Sequence, residues 1–141
     1  MSVFRLDWPV RFADTDPAGI VYYPRYFEMV DGVVERWFAD AIGRGLRKMA
    51  LEDKVATPTV HIEADFFRPS MIEDVLEFSL VALDIGRTSC TVSVSAICQG
   101  EKRLAAKAVL VYANLTDYSA VPFPEEMRAA MTPYLLGSDD E

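Results

Sequence analysis

Two closely spaced aspartates in the stretch ADTDPAGIVYYPRYFEMVD, from Ala13 to Asp31, are the residues of this chain best suited to chemistry. Asp14 and Asp16 are followed by Gly19, and a helix is predicted to begin at Pro24. Glycine lets a backbone approach a ligand closely, and free N–H groups at a helix start stabilise a developing oxyanion. A carboxylate beside such donors could attack an acyl carbonyl or activate water, while the donors hold the negative oxygen.

The same loop also has a structural interpretation. Asp16 directly before Pro17 is typical of a helix N-cap followed by proline at the first helical position, and Asp14 could form a turn. The pattern alone favours this structural interpretation over the catalytic one. Both remain open when only the spacing of the residues is considered.

A third carboxylate, Asp31, stands in an unusual place. At about 100° per residue, a regular helix puts Asp31 between Phe38 and Ile42, inside the apolar stripe. A charge buried there needs a hydrogen-bonding partner. Asp31 is therefore either a structural carboxylate bonded to a neighbouring backbone group or to Thr57, or an acceptor for a hydroxyl of the substrate.

Other hydrolytic machinery is missing from the chain. It has no Gly-x-Ser-x-Gly elbow, no phosphate-binding glycine loop and no dinucleotide fingerprint. The single histidine, His61, alternates outward from a predicted strand and is expected to be structural or at the surface. One histidine and two cysteines have no zinc-ligand spacing, so we expect no metal. Hydrolysis by this chain would depend on carboxylates.

The elements that must position these residues follow from hydrophobic periodicity. The segment VFRLDWPVRF reads as a strand, and a helix of about five turns fits between Pro24 and the stop signal at Gly43. Its apolar residues should leave the helix buried on most of its circumference. After it, TVHIEADF and CTVSVSAIC alternate as half-buried strands, DVLEFSLVALDI and RLAAKAVLVYANL are further strands, and PEEMRAAM is a short terminal helix. This order predicts an α+β fold in which an antiparallel sheet of about five long strands wraps around one central helix.

Length and composition fit one domain over residues 1–141, with residues 136–141 as a solvated tail. A net charge of −8 disfavours nucleic acid but permits a small anionic ligand at a local basic site. The start MSVFRLDW does not resemble a signal peptide, and no apolar run reaches membrane-spanning length, so we expect a cytoplasmic protein. Cys90 and Cys98 fall on one predicted strand and its end, which favours reduced, buried thiols.

The run FADTDPAGIVYYPRYFEMVD, the long helix, TPTVHIEADFFRP and the paired strands resemble the hot dog-fold acyl-CoA thioesterases, specifically the 4-hydroxybenzoyl-CoA thioesterase group. The resemblance extends from about Arg5 to about Met131. It implies a sheet curled around the helix, a homodimer that usually pairs into a homotetramer, and sites formed between subunits. It implies no cofactor, because coenzyme A is part of the substrate.

The resemblance also assigns residues. The catalytic carboxylate falls on Asp16, which would act either as a nucleophile or as a base that activates water. The N–H that polarises the thioester carbonyl falls near Tyr23, with Gly19 shaping the turn. Asp31 and Thr57 match the positions that contact the phenol of a hydroxybenzoyl group, which would give the carboxylate in the apolar stripe a use.

The coenzyme A contacts depart from the pattern of the group. Its members often carry several basic residues at the hairpin after the third strand, whereas DIGRTS offers only Arg87. Arg87 is thus the first candidate for the phosphates. Lys102, Arg103 and Arg128 are weaker candidates, each of which is more simply interpreted as a solvated surface charge.

The sequence therefore predicts a thioesterase that cleaves an aromatic acyl-CoA such as 4-hydroxybenzoyl-CoA to the free acid and coenzyme A. One alternative is a thioesterase for short or medium aliphatic acyl-CoA or for acyl-carrier protein. Another, from a different class, is a non-catalytic acyl-CoA binding protein. Neither nucleic acid nor a membrane is an expected partner.

Overall fold

A computed structural model describes residues 1–138. Its elements in chain order are β1 (Phe4–Pro9), α1 (Pro24–Arg36), β2 (Val55–Ala56), β3 (Thr59–Phe66), β4 (Val75–Ile85), β5 (Ser89–Cys98), β6 (Glu101–Val111), β7 (Ala113–Asn114) and α2 (Glu125–Met131). Five strands form one antiparallel sheet in the order β1-β4-β5-β6-β3, and the two short strands β2 and β7 pair with each other. The predicted α+β architecture is confirmed.

The core lies between the helix α1 and one face of the sheet. On β4 and β5 every second residue is buried along most of the strand, as their alternating sequences predict. The inward side chains pack with the buried face of α1 in one cluster. Cys90 and Cys98 are free thiols of this cluster, and burial raises the pKa of the Cys90 thiol to about 12, with a smaller contribution from nearby Asp84.

The long helix begins at Pro24 and continues beyond Arg36 as a π-helical turn, Trp37–Ile42, before Gly43 ends it with a φ of +81°. The predicted start, length and stop are confirmed. The helix is not buried on most of its circumference, however, because Glu28, Asp31 and several later polar residues are exposed. One broad face is buried, and the other is open in the single chain.

Helix α1 meets the side chain of Trp8, on β1, at Gly32. A β-carbon built on Gly32 would lie 2.6 Å from the indole ring of Trp8 on β1. The indole therefore occupies the place that a side chain would take. This contact brings the helix close to the first strand.

Strand β3 forms one edge of the sheet, beside β6. Its apolar side chains are open: Val60 is 61% exposed, Ile62 37% and Phe66 44%. The prediction of a half-buried strand is wrong for the single chain. Periodicity marks a face that suits burial, but it does not say whether this chain supplies the cover.

The two predicted hairpin turns are present. Gln99 and Gly100 both have positive φ, as a two-residue type I′ turn requires, and residues 86–88 join β4 to β5. In the predicted tail, the Leu136 N–H donates to the Ala82 carbonyl at 2.7 Å, and residues 139–141 lie outside the described part. Within residues 1–138, no helix is long and apolar enough to cross a membrane.

Candidate active site

The Asp16 loop, residues 15–21, is closed by its own backbone. The Asp16 N–H donates to the Ile20 carbonyl, and the Gly19 N–H donates to the Asp16 carbonyl, both at 2.9 Å. The Ala18 N–H donates to Asp16 Oδ1 at 2.9 Å, which makes an Asx turn. Asp16 is therefore not the cap of a helix at Pro17. One of its carboxylate oxygens orders the loop, and Oδ2 has no partner within residues 1–138.

The neighbouring carboxylate, Asp14, has a different environment. It is only 4% exposed, and its Oδ2 accepts the Arg11 N–H at 2.9 Å. Its carbonyl accepts the Tyr22 N–H at 2.9 Å. Both acids therefore form turns, but the Asp14 carboxylate is buried, whereas the Asp16 carboxylate is half-exposed with one oxygen unbonded in residues 1–138.

Gly19 lies within the Asp16 loop, and Tyr23 lies two residues beyond its end, at the start of α1. Gly19 has a φ of +82°, a conformation that glycine adopts without strain. Tyr23 is the residue before Pro24, and its N–H makes no hydrogen bond within the described part of the chain. A free N–H at the start of α1 can stabilise negative charge on a carbonyl oxygen.

Two grooves adjoin this loop. The first, of about 560 Å³, is lined by Asp16 and Gly19 together with Phe12, Thr15, Pro17 and Ile72. The second contains Tyr23 and is walled by aromatic side chains, with Phe66 within 6.5 Å of the rings of Tyr23, Tyr26 and Phe27. Arg68 also lines this second groove. Sequence reasoning missed it, although the run FFRP at the end of β3 was a signal.

Asp31 lies in a third groove, between α1 and the strands β3 and β6. This groove has a volume of about 280 Å³ and is otherwise mostly apolar, with Phe27, Val30, Val34, Thr59, Ile62 and Ala108 as its remaining lining. The threonine that lines it is Thr59, whereas the predicted Thr57 is half-buried outside it. The structure thus brings Asp31 together with a threonine two residues beyond the predicted one.

The expectation that Asp31 is buried and paired is wrong. Asp31 is exposed and makes no hydrogen bond within residues 1–138. Asp31 lines an open groove, and the two residues with which the helical wheel grouped it, Phe38 and Ile42, lie in the π-helical turn at Trp37–Ile42. A π-helix holds more residues per turn than an α-helix, so a regular 100° step misplaces Phe38 and Ile42 relative to Asp31.

The basic candidates are placed differently from one another. Arg87 is exposed in the β4–β5 hairpin, apart from the three grooves. Arg128 donates to the Ile85 carbonyl at 2.8 Å and to the Gly86 carbonyl, and Arg103 is only 5% exposed. The interpretation of Arg103 and Arg128 as solvated charges is therefore wrong. Lys102 lies 5.1 Å from the centroid of the Phe67 ring.

Known proteins are similar to this chain in sequence and in fold. The family model of the thioesterase-like superfamily matches residues 10–131. A 1,4-dihydroxy-2-naphthoyl-CoA hydrolase from Acaryochloris marina strain MBIC 11017 is 31% identical over 122 residues, covering 84% of this chain and 88% of the relative.

Solved structures of known proteins have the same fold as this chain. A 1,4-dihydroxy-2-naphthoyl-CoA thioesterase from Synechocystis superimposes with a TM-score of 0.84 at 23% identity, covering 92% of this chain and 96% of that chain. A gentisyl-coenzyme A thioesterase superimposes with a TM-score of 0.78 at 25% identity, covering 92% and 99%. The predicted fold is the fold of these proteins.

Proposed function

The chain belongs to the thioesterase-like superfamily, and we propose that it hydrolyses aromatic acyl-CoA thioesters that carry a ring hydroxyl, such as 4-hydroxybenzoyl-CoA. It is a thioester hydrolase, in keeping with relatives named as CoA hydrolases and thioesterases. The observation that carries the proposal is the half-exposed Asp16 carboxylate in the loop that leads to the unpaired Tyr23 N–H.

The proposed reaction adds water across the thioester bond and releases the aromatic acid and coenzyme A. The Tyr23 N–H donates to the thioester oxygen as negative charge develops on it. Asp16 either attacks the carbonyl carbon and forms an anhydride that water then opens, or takes a proton from the attacking water. In both routes the C–S bond breaks and the sulfur leaves as a thiolate. Gly19 adopts the positive φ that the turn of the Asp16 loop requires. The reaction requires no metal or cofactor.

The acyl group is assigned to the groove that contains Asp31. Its volume of about 280 Å³ lies just below the range of roughly 300–1,000 Å³ typical of sites that hold a whole ligand, which suits the acyl end of a larger molecule. The Asp31 carboxylate would accept a hydrogen bond from the ring hydroxyl, with Thr57 or Thr59 beside it. Relatives named for dihydroxynaphthoyl and gentisyl thioesters support a hydroxylated aromatic substrate.

Coenzyme A is assigned to the side of the loop where Tyr23 lies. The aromatic groove would hold the pantetheine arm, and Arg87 remains the proposed contact to the nucleotide phosphates. Arg68, which lines that groove, is a second cation within reach of a ligand there. Because phosphate contacts are screened by salt, KM for the CoA thioester should rise with ionic strength, and Arg87→Gln should weaken that dependence.

We also propose that two copies form the working unit, a homodimer that pairs into a homotetramer, with sites between subunits. The open edge of β3 and its exposed apolar side chains favour pairing with a second copy. Asp16 and Asp31 line different grooves of one chain, which suits a site assembled from both copies. The free thiols of Cys90 and Cys98 favour a cytoplasmic location.

The first experiment is thiol release from a panel of CoA thioesters: 4-hydroxybenzoyl, 1,4-dihydroxy-2-naphthoyl, benzoyl, phenylacetyl and aliphatic examples. The proposal expects the hydroxylated aromatic substrates to have the highest kcat/KM. A preference for aliphatic substrates would keep the hydrolase and overturn the acyl assignment. Absence of turnover with the whole panel would overturn the proposed function.

A second experiment tests the shared site. Chains carrying Asp16→Asn are mixed with chains carrying Asp31→Ala, refolded together and assayed with 4-hydroxybenzoyl-CoA. If one site draws these residues from different chains, mixed dimers contain one unaltered site, and activity exceeds the sum of the separate variants. No gain in a mixture shown to contain mixed dimers would contradict this arrangement.

A further inference from the structure

The buried polar side chains of this protein cluster beneath the Asp16 loop. In residues 1–138, the buried polar or charged residues are Asp14, Ser70 and Arg103. Burying such groups is costly unless they are hydrogen-bonded. Each of the three is hydrogen-bonded, and the backbones of Asp14 and Ser70 also accept N–H groups of Tyr22 and Val21 at the end of the Asp16 loop.

Arg103 projects from β6 into the segment that joins β3 to β4. Its Nη1 donates to the Pro69 carbonyl at 3.0 Å, to Ser70 Oγ at 3.0 Å and to Asp74 Oδ2 at 2.9 Å. Its Nη2 lies 3.4 Å from Glu101 Oε1. One guanidinium group thus fixes a side chain or a carbonyl at three positions of the segment 69–74, which we name the brace loop.

The brace loop in turn holds the Asp16 loop. The Ser70 carbonyl accepts the Val21 N–H at 2.9 Å, and Met71 forms an antiparallel bridge with Ile20. The Ile20 carbonyl accepts the Asp16 N–H at 2.9 Å. A short chain of bonds therefore runs from Arg103 through Ser70 to the backbone of the proposed catalytic residue.

A second set of bonds ties the brace loop to the other end of the site. The Val10 N–H donates to the Asp74 carbonyl at 2.8 Å, and the Glu73 N–H donates to the Val10 carbonyl at 2.9 Å. The next residue, Arg11, donates its N–H to Asp14. The entry to the Asp16 loop and its exit at Val21 are thus both attached to the brace loop.

We propose that Arg103 is a positioning residue, which sets the geometry of Asp16 and the Tyr23 N–H through the brace loop and raises kcat without touching the substrate. This inference rests on the proposed function, because it concerns the rate of that reaction. The geometry is specific to arginine. Nη1 makes all three contacts to the brace loop while Nη2 lies near Glu101, and a lysine side chain is one bond shorter and ends in a single nitrogen, so its ammonium group cannot occupy both places.

The test compares Arg103→Lys with Arg44→Lys. Arg44 is a matched control because it is also a poorly exposed arginine, bonded to Asp53 and Glu126 outside both loops. Arg103→Lys should lower kcat for the best substrate by about 10- to 100-fold with KM nearly unchanged, since small misplacements of catalytic groups have effects of this order. Arg44→Lys should leave kcat nearly unchanged.

Hydrogen exchange of the Val21 amide gives a readout besides activity. Its protection should fall in Arg103→Lys and stay unchanged in Arg44→Lys, with thermal unfolding used to match the two variants for stability. Ser70→Ala is a milder variant, because it removes one Arg103 partner and leaves the Ser70 carbonyl to Val21. Its loss of kcat should be smaller and in the same direction.

Three results would overturn the inference: equal losses of kcat in the two lysine variants, a loss in Arg103→Lys that appears only in KM, or unchanged Val21 protection. If the parent hydrolyses no substrate, the proposed function fails on its own. The exchange measurement then decides separately whether Arg103 holds the Asp16 loop in place.

Discussion

The Asp16 loop and the Asp31 groove each contain an aspartate carboxylate, but the two carboxylates have opposite surroundings. The loop is held by hydrogen bonds of its own backbone and of the neighbouring segments, and one oxygen of Asp16 is used to order it. The groove is largely apolar, and its single carboxylate has no internal partner within residues 1–138. A reacting group must be held in a fixed position. A group that recognises a ligand must instead keep a free acceptor to which the ligand can donate a hydrogen bond.

The two regions also differ in what holds them. Backbone hydrogen bonds attach the Asp16 loop to the brace loop. The Asp31 groove is a gap between helix and sheet, and its shape depends on how their side chains pack. Changes in the loop should therefore alter the rate at which bonds are broken. Changes in the groove should alter which acyl groups are accepted.

The largest expected effect is that of Asp16→Asn. Removal of the carboxylate that attacks or activates water should lower kcat by about 10²- to 10⁴-fold, measured by thiol release, with the thermal unfolding temperature nearly unchanged. Asp7→Asn, an exposed position of β1, is the matched control and should keep full activity. An Asp16→Asn variant that retains most of the parent's kcat would contradict the catalytic role proposed for Asp16.

The next effect is that of Asp31→Ala on selectivity. Loss of the hydroxyl acceptor should reduce kcat/KM for 4-hydroxybenzoyl-CoA about 5- to 150-fold relative to benzoyl-CoA, since an unpaired buried polar group costs about 1–3 kcal/mol. Glu35→Ala, an exposed acid on the same helix, should change neither substrate. Equal losses on both substrates would return Asp31 to a structural role.

A smaller effect is expected of Gly32→Ala, which tests the packing behind the groove. The added methyl would meet the Trp8 ring, so overpacking should outweigh the gain in helix propensity and lower the free energy of unfolding by about 1–2 kcal/mol. Combining it with Trp8→Leu should recover part of the loss in urea unfolding experiments. Unchanged stability in Gly32→Ala would mean that this packing is adaptable.

Gly19→Ala probes the loop at a position where strain, not contact, is expected. A β-carbon there has nothing within 4 Å, but the φ of +82° should cost alanine about 1 kcal/mol and shift the loop, so kcat should fall with little change in thermal unfolding. Gly137→Ala is the control, because Gly137 has the same φ and the same open surroundings. Similar kcat values in the two variants would argue against a strained loop.

The smallest effect is a pH dependence from Asp74. The Met71 N–H bond, followed by Arg103, holds the pKa of Asp74 below its ordinary value of 3.8, against the opposing effect of burial. The folded state therefore gains stability from this group above that value and loses it as the pH falls through the lower folded pKa. Urea unfolding of Asp74→Asn should show a flatter acid dependence than the parent. An identical slope would contradict the ion pair.

The sequence predicted the elements well because their signals are local. Alternation along β4 and β5, the proline at the start of α1 and the turn residues at Gln99 and Gly100 each act over a few positions. The Asp16 loop is local only in part: Gly19 and the Asx turn of Asp16 act within it, whereas its bonds to Ser70 and Met71 come from a distant segment that local patterns do not reveal.

The misplaced residues depend on irregularities that a periodic pattern omits. The π-helical turn after Arg36 changes the direction of Phe38 around the helix axis relative to Asp31. A wheel drawn with a regular 100° step therefore groups the wrong residues on one face. A register shift between β5 and β6 lets Arg103 and Leu104 both be buried, although neighbours on a regular strand face opposite ways. The exposure of β3 cannot be read from its alternation, which marks an apolar face without showing what packs against it.

The tight hairpins between β4, β5 and β6 have a consequence for folding. These three strands are contiguous in the chain, in residues 75–111, and form the centre of the sheet with short loop closures. β1 and β3 come from the distant N-terminal half, and we expect them to add after that centre has formed, because long-range pairing carries the larger entropic cost. The loop that contains Asp16 follows β1, so the ability to react is expected to be among the last properties a newly made chain acquires.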